Sequence, residues 1–280
     1  MVPAVRLTDL LAATGLFGGA PPPAPPAGRY RTPAVGPELL ARIDALPARS
    51  ASWVRDPLDR SGPASGEVRT LRLPGGTPAR QTSQVTCGAA VLTVLRYAGD
   101  PASALRLATA PDPAAAFAAD QEAVHRASTR GPRGLPGWPT RFGTPPWGAA
   151  REARYGPVAY THRVVGAPGS GAARRVLDAA LAAAAAGVPV PLYSGGDLGR
   201  GVPTAVPRHV VLLTAVTGTG GEAAARLYEP SSGTLHALSA ALLRDGVVTA
   251  ARTRALGGWP HLVWAILPRG RSGQGPPWQT

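Results

Sequence analysis

The order of its predicted elements constrains the fold of this 280-residue chain more than any other feature. Before Tyr155 the chain is rich in alanine and interrupted by proline, and the spacing of its apolar residues mostly predicts helices. After Tyr155 most apolar segments are short or alternate with polar residues, which predicts strands. Helices and strands that occupy separate parts of a chain favour an α+β domain over a doubly wound α/β fold.

The individual elements follow from apolar spacing and from the positions of glycine and proline. We predict helices over residues 37–48, 87–98, 102–109, 113–128, 146–153 and 171–186. We predict strands over residues 68–73, 158–165, 188–194, 209–216, 224–229, 234–238 and 261–267. Residues 37–268 thus form one predicted domain. Residues 1–36, which are rich in proline, are predicted to be a tail or linker, and residues 269–280 a C-terminal tail.

The composition argues against several classes of protein. A formal net charge of +13 would suit an anionic partner such as nucleic acid. All 29 basic residues are arginine, however, and they are scattered rather than interleaved with aromatic residues, so we expect no nucleic-acid binding. A single cysteine, Cys87, excludes an intrachain disulfide and a zinc site built on cysteine pairs. No metal or cofactor is predicted.

No apolar segment reaches the roughly 18 residues that a transmembrane helix needs. The apolar stretch over residues 10–20 is followed at once by prolines, which is unlike a signal peptide. We therefore expect a cytoplasmic protein with no membrane span, with secretion left open.

Cys87 stands at the predicted start of a helix. Thr86 precedes it as a helix cap, and Gly99 and Pro101 end the helix. A thiol attacks as thiolate, and the unpaired N–H groups and dipole of a helix N-terminus favour that charge. This position predicts that Cys87 is a nucleophile.

Gln81 lies six residues before Cys87. Attack on an amide needs donors aimed at the developing oxyanion, and the side-chain amide of Gln81 and the backbone N–H of Cys87 are placed to supply two. Gln84 is a second candidate for the side-chain donor.

His209 is the predicted base because it begins an apolar strand and follows a loop rich in glycine and proline. If strands 209–216 and 224–229 form a hairpin centred near Thr219, Glu229 lies opposite His209 and can hold its imidazole in the required tautomer. The other four histidines are predicted to be surface or packing residues; these are His125, His162, His236 and His261.

These residues resemble a known family. The segment Gln81-Thr-Ser-Gln-Val-Thr-Cys87-Gly-Ala-Ala is similar to the Gln and Cys-Gly-x-Ala signature of the bacteriocin-processing, double-glycine leader peptidases. In that family a strand beginning with His follows, and then an Asp-Pro-x-x-Gly segment after the next strand. This chain has His209 and Glu229-Pro-Ser-Ser-Gly233 in that order. Glu229 stands where the family has Asp, and Thr86 where Asp often precedes the cysteine.

The resemblance, over residues 77–268, implies a papain-like α+β fold. An N-terminal helical layer, including the helix of the nucleophile, would pack on a C-terminal antiparallel sheet. It also implies a cysteine peptidase acting on a peptide or protein through Cys87, His209 and Glu229, with Gln81 at the oxyanion. Two alternatives stay open. One is acyl transfer to an amine by the same groups, and the other is a non-catalytic peptide-binding module whose Pro-rich tail docks a partner.

Overall fold

A computed structural model of the chain describes residues 35–60, 68–131, 137–196 and 207–269, together with Pro22 and Tyr30. Most of the proposed N-terminal tail, and the C-terminal tail beyond Arg269, lie outside the described residues. The described part forms an α+β domain, as the sequence predicts. Its helices are α1 Pro37–Asp44, α2 Ala48–Arg55, α3 Cys87–Gly99, α4 Pro101–Ala108, α5 Pro113–Thr129, α6 Pro146–Glu152, α7 Gly171–Ala185, α8 Ala240–Asp245 and α9 Ala250–Ala255.

The strands pair antiparallel in one sheet of eight among the described residues, in the order β1-β7-β6-β5-β4-β8-β3-β2. Their bounds are β1 Val68–Thr70, β2 Arg154–Tyr155, β3 Val158–Val164, β4 Val190–Gly195, β5 His209–Thr217, β6 Ala224–Glu229, β7 Thr234–Ser239 and β8 His261–Pro268. This agrees with the antiparallel sheet that was predicted. That the fold is papain-like remains a prediction.

Strand β5 lies inside the sheet and is buried on both faces. Its Val210 and Leu212 pack in the core that contains α3, while Val211 and Leu213 pack in the core that contains α7. Burial of both faces explains why this strand is a continuous apolar run rather than an alternating one. The consequence is that His209 begins a strand held between two hydrophobic cores.

Helix α3 is buried along most of its length. Thr86 occupies the position before the helix, but the predicted cap is wrong, because its side chain makes no bond to the helix. Its hydroxyl instead accepts from the N–H of Ser83 at 2.9 Å and stabilises the preceding turn. The helix ends at Gly99, where a Cβ would lie 2.3 Å from the backbone nitrogen of Gly156. Only glycine fits this close approach.

The remaining differences concern short elements. The predicted helix over 37–48 ends at Asp44, because Pro47 disfavours helical backbone at the residue before it. Helix α2, which begins at Ala48, was not predicted. The predicted strand over 68–73 ends at Thr70. Strand β2 and helices α8 and α9 were missed, since two to six residues carry too little periodicity to be recognised.

Tyr30, inside the proposed tail, contacts the domain. Its N–H donates to the carbonyl of Ala186 at 2.6 Å, and its ring centroid lies 5.2 Å from that of Tyr155. The chain before α1 is therefore joined to the fold at this residue. Within the described part of the chain, no helix is long and apolar enough to cross a membrane.

Candidate active site

Cys87 is the first residue of α3 and is buried, with 5% of its surface exposed. It lines a cavity of about 60 Å³ together with His209. The walls of this cavity come from the turn before α3, from the segment before α6 and from the ends of β4 and β5. The lining residues are Gln84, Val85, Cys87, Arg141, Phe142, Gly143, Thr144, Tyr193, Pro207, Arg208, His209 and Val210.

His209 and Glu229 are in contact and both are buried. The Nε2 atom of His209 lies 2.7 Å from Oε1 of Glu229. Because Nε2 is engaged by the carboxylate, Nδ1 is the ring nitrogen available to Cys87. The fold thus brings together the three residues that the sequence assigned to the nucleophile, the base and its orienting acid.

The register by which His209 and Glu229 meet differs from the prediction. Leu212 pairs with Tyr228, and the ladder shifts between Leu213 and Ala215. Continued by one residue, this register places Glu229 across from Val211, so His209 and Glu229 are diagonal neighbours. Diagonal side chains on one face of a sheet still reach each other when they are long. The extra methylene of Glu, relative to Asp, contributes that reach.

The carboxylate of Glu229 is held by the turn that follows it. Oε1 accepts from the N–H and the hydroxyl of Ser231, both at 2.7 Å, and Oε2 accepts from the N–H of Ser232 at 2.9 Å and from its hydroxyl. Burial would raise the pKa of Glu229, but the hydrogen bonds from His209, Ser232 and Ser231 hold it well below its usual range. Glu229 is therefore a charged carboxylate with a fixed orientation.

The pKa of the His209 imidazole is shifted in the opposite direction. Burial alone would lower its pKa, but hydrogen bonding to Cys87 and to Glu229, together with the negative charges of these two partners, raises the pKa of His209 to about 9. At neutral pH the ring is an imidazolium next to the thiol. It can therefore stabilise a thiolate and deliver a proton to a leaving group.

Gly257 supports the imidazole and was not recognised from the sequence. A Cβ on this glycine would lie 2.2 Å from Cδ2 of His209, and its φ of 69° is in the left-handed region. Its loop is fixed by the hydroxyl of Ser194, which donates to the carbonyl of Leu256 at 2.8 Å, while Ser194 itself pairs with His209 in the sheet. The Gly-Gly pair at 257 and 258 signals a turn in the sequence, but not what the turn contacts.

Gln81 does not line the cavity. Its Nε2 donates to the carbonyl of Ser83 at 2.7 Å, and its Oε1 is buried without a partner among the described residues. The oxyanion role of Gln81 thus stays a prediction, and it requires the amide to turn away from Ser83. Gln84 does line the cavity, on an exposed turn.

A buried glutamine on α5 fixes the backbone around Gln81. Gln121 has no exposed surface; its Nε2 donates to the carbonyl of Arg80 at 3.1 Å, and its Oε1 accepts from the N–H of Thr82 at 3.2 Å. The N–H of Gln81 itself donates to the carbonyl of Pro230 at 2.8 Å, next to Glu229. These bonds join the turn before Cys87 both to α5 and to the turn that follows Glu229.

The segment before α6 closes the other side of the cavity. The hydroxyl of Tyr193 donates to the carbonyl of Thr144 at 2.9 Å. Gly88, directly after Cys87, allows this approach, because a Cβ there would lie 2.7 Å from Cβ of Thr144. Burial, and secondarily the charge of Cys87, raise the pKa of Tyr193 well above its usual value, so Tyr193 is a neutral wall and not a base.

The other histidines lie outside the cavity. Trp264 donates to Nδ1 of His162 at 3.2 Å, and Nε2 of His236 lies 2.9 Å from the hydroxyl of Thr234. Burial lowers the pKa of His125, His162 and His236.

A larger cavity of about 550 Å³ lies between α1, the end of α3 and the β2–β3 turn, but its lining contains neither Cys87 nor any histidine. The described residues contain no cluster of three His, Cys, Asp or Glu side chains that could hold a metal ion.

Comparisons with known proteins add no assignment to this geometry. No protein-family model matches the chain, and no curated protein or solved structure is significantly similar to it.

Proposed function

We propose that this protein is a cysteine peptidase of papain-like fold, with Cys87 as nucleophile, His209 as acid and base, and Glu229 as the residue that orients His209. The observation that carries the proposal is the buried set of three groups. A thiol at a helix N-terminus shares a cavity with an imidazole whose far nitrogen is held at 2.7 Å by a charged carboxylate. This is the arrangement that thiol-dependent acyl transfer requires.

In the first step the Cys87 proton resides on His209, and the sulfur attacks the carbonyl carbon of a peptide bond. The tetrahedral oxyanion accepts hydrogen bonds from the backbone N–H of Cys87 and from the Gln81 amide. The intermediate collapses as the C–N bond breaks, and His209 protonates the leaving amine. An acyl-enzyme remains, with the acyl group on Cys87.

In the second step His209, now neutral, takes a proton from water, which attacks the thioester. Collapse of this second intermediate releases the carboxylic acid and regenerates the thiolate and imidazolium pair. If an amine occupies the place of water, the same groups perform acyl transfer. The choice between hydrolysis and transfer is therefore set by the acceptor, and products formed with and without added amines distinguish the two.

The test uses the fact that Cys87 is the sole thiol of the chain, so any alkylation reports on this residue. We expect iodoacetamide to label the folded protein faster than the urea-denatured protein at pH 6–7, and Cys87→Ala to abolish labelling. We expect His209→Gln to slow labelling of the folded protein, because the imidazolium that stabilises the thiolate is lost.

Mass spectrometry of a peptide library should show cleavage by wild type and none by Cys87→Ala. Equal labelling rates of folded and denatured protein would falsify the peptidase proposal. Peptide binding without labelling or cleavage would instead identify a non-catalytic binding module.

A further inference from the structure

The mouth of the cavity carries two arginines with no acidic partner among the described residues. Arg141 and Arg208 both line the cavity and are exposed. No carboxylate of the described residues pairs with either of them, and none of the described cavity-lining residues is acidic. Seven other arginines of the described chain have acidic partners, so the charges of Arg141 and Arg208 are not neutralised in the way that these seven are. Unneutralised cations at a cleft attract anions.

Three exposed aromatic side chains form a contiguous surface beside the same mouth. We define the aromatic patch as Trp138, Phe142 and Trp147, which are 36%, 56% and 41% exposed. The ring centroid of Trp138 lies 5.8 Å from that of Phe142 and 5.2 Å from that of Trp147. Phe142 also lines the cavity, so the patch continues into the candidate site. Clustered exposed aromatic rings of this kind mark binding surfaces.

The patch and the arginines are adjacent. The guanidinium carbon of Arg141 lies 4.8 Å from the centroid of the Phe142 ring. One short peptide segment can therefore place an acidic side chain on the guanidinium and an aromatic side chain on the rings. Both contacts would form beside Cys87.

The segment that carries the patch is held in place before any ligand binds. The N–H of Trp138 donates to the carbonyl of Thr129 at 2.8 Å, and Tyr193 and Ser128 both hydrogen-bond Thr144. Arg151 donates to the carbonyls of residues 127, 128 and 130 at the end of α5. A surface fixed in this way loses little conformational entropy when it binds.

We infer that the candidate site selects peptide substrates that carry an acidic side chain and an aromatic side chain near the scissile bond. Arg141 and Arg208 bind the carboxylate, and the aromatic patch binds the ring. This inference rests on the proposed function for the cleavage step, but its binding part can be tested without catalysis.

The first experiment measures the charge at the mouth with two small probes. Iodoacetate is anionic and iodoacetamide is neutral, so the ratio of their labelling rates at Cys87 reports the local potential. We expect Arg141→Gln and Arg208→Gln each to lower this ratio about two- to five-fold, the size expected of one exposed ion pair. The matched control is Arg175→Gln, which removes the same charge from an exposed position on α7, on the opposite face of the sheet. An unchanged ratio of labelling rates in the variant that carries both Arg141→Gln and Arg208→Gln overturns the role of the arginines.

The second experiment measures selectivity with peptides that differ only in Asp against Asn, or Phe against Ala, at each position near the scissile bond. We expect wild type to prefer Asp and Phe. The arginine variants should lose the preference for Asp only. Trp138→Ala should lose the preference for Phe only, on the order of tenfold.

Failure of this inference can be distinguished from failure of the proposed function. If Cys87 labels rapidly and peptides are cleaved without these preferences, the inference is wrong and the peptidase proposal stands. If no peptide is cleaved, fluorescence anisotropy with the Cys87→Ala variant still measures binding of the same labelled peptides. Preferential binding of the Asp and Phe peptides then supports the surface as a recognition site. Equal binding of the Asp and Asn peptides and of the Phe and Ala peptides overturns the inference.

Discussion

The acid half and the oxyanion half of the candidate site differ in how much of their hydrogen-bonding capacity the fold uses. Glu229 accepts five hydrogen bonds, from His209 and from the N–H and hydroxyl groups of Ser231 and Ser232. Gln81, by contrast, has a buried Oε1 without a partner among the described residues, and its Nε2 bonds a neighbour in its own turn. The fold alone therefore completes the acid and imidazole half. In the proposed mechanism, the oxyanion half is completed only when a substrate carbonyl arrives.

The largest expected effect comes from neutralising the acid. Glu229→Gln keeps the size of the side chain, but it places an amide NH₂ among groups that donate to the carboxylate. We expect activity to fall about 10³-fold, because His209 loses both its orientation and its charge stabilisation. The imidazole pKa should fall with it, which NMR titration of His209 measures. Glu222→Gln, in the exposed turn of the same hairpin, is the control and should retain full activity.

Glu229→Asp tests whether the length of this side chain matters as well as its charge. It introduces the residue type found in the double-glycine leader peptidases, but it shortens a side chain that spans a diagonal rather than a direct cross-strand contact. We expect activity between those of wild type and Glu229→Gln. Full activity in Glu229→Asp would show that the turn can move to follow a shorter carboxylate.

The next largest effect tests the oxyanion half. We expect Gln81→Ala to lower kcat about 10²-fold, because a donor to the oxyanion is lost in the transition state. Stability should change much less, because in the resting structure the amide donates only to the carbonyl of Ser83 in its own turn. Gln84→Ala should change kcat much less. The opposite ranking, measured by steady-state kinetics on one peptide, would assign the side-chain donor to Gln84, which already lines the cavity.

A smaller effect separates two neighbouring glycines. Gly257 and Gly258 have φ of 69° and 89°, so alanine strains the backbone at both, by about 1–2 kcal/mol. Only at 257 does the added Cβ meet His209, since nothing lies within 4 Å of the Cβ position at 258. We expect Gly257→Ala to lose more thermal stability than Gly258→Ala, and only Gly257→Ala to slow thiol labelling. Equal labelling in the two variants would show that the imidazole tolerates displacement.

Features of the site that depend on local pattern could be predicted from the sequence. The helix of Cys87 was predicted because apolar spacing and a terminal Gly-x-Pro are local signals. The contact of His209 with Glu229 was predicted because a hairpin places its own ends together. The exact register was not, because the shift between Leu213 and Ala215 and the short helix in the turn leave no trace in the apolar pattern.

Features that depend on contacts between distant segments could not be predicted. Gln121 reaches a turn some forty residues earlier in the chain, and Gly257 supports an imidazole from a later loop. Neither residue type is unusual where it stands in the sequence. The cap expected of Thr86 failed for a related reason, because its hydroxyl had a nearer partner in the preceding turn. Local preference is overridden wherever tertiary or turn contacts satisfy the same group.

The smallest effect is on stability, and it tests whether the acid half is built before substrate binds. The pKa of His209 is raised from 6.5 to about 9, so its contribution to stability is complete below about pH 6.5 and is lost as the pH rises through about 9. The pKa of Glu229 is lowered, so its contribution is present above about pH 4.5 and is lost as the pH falls. The free energy of unfolding of wild type, minus that of Glu229→Gln, should therefore be largest between about pH 4.5 and about pH 6.5, on the order of 2 kcal/mol. Urea unfolding across pH 3–10 measures this difference, and subtraction of the variant removes the common effect of the other charges. A flat difference would mean that the ion pair forms only when substrate is bound, and the contrast between the two halves would then disappear.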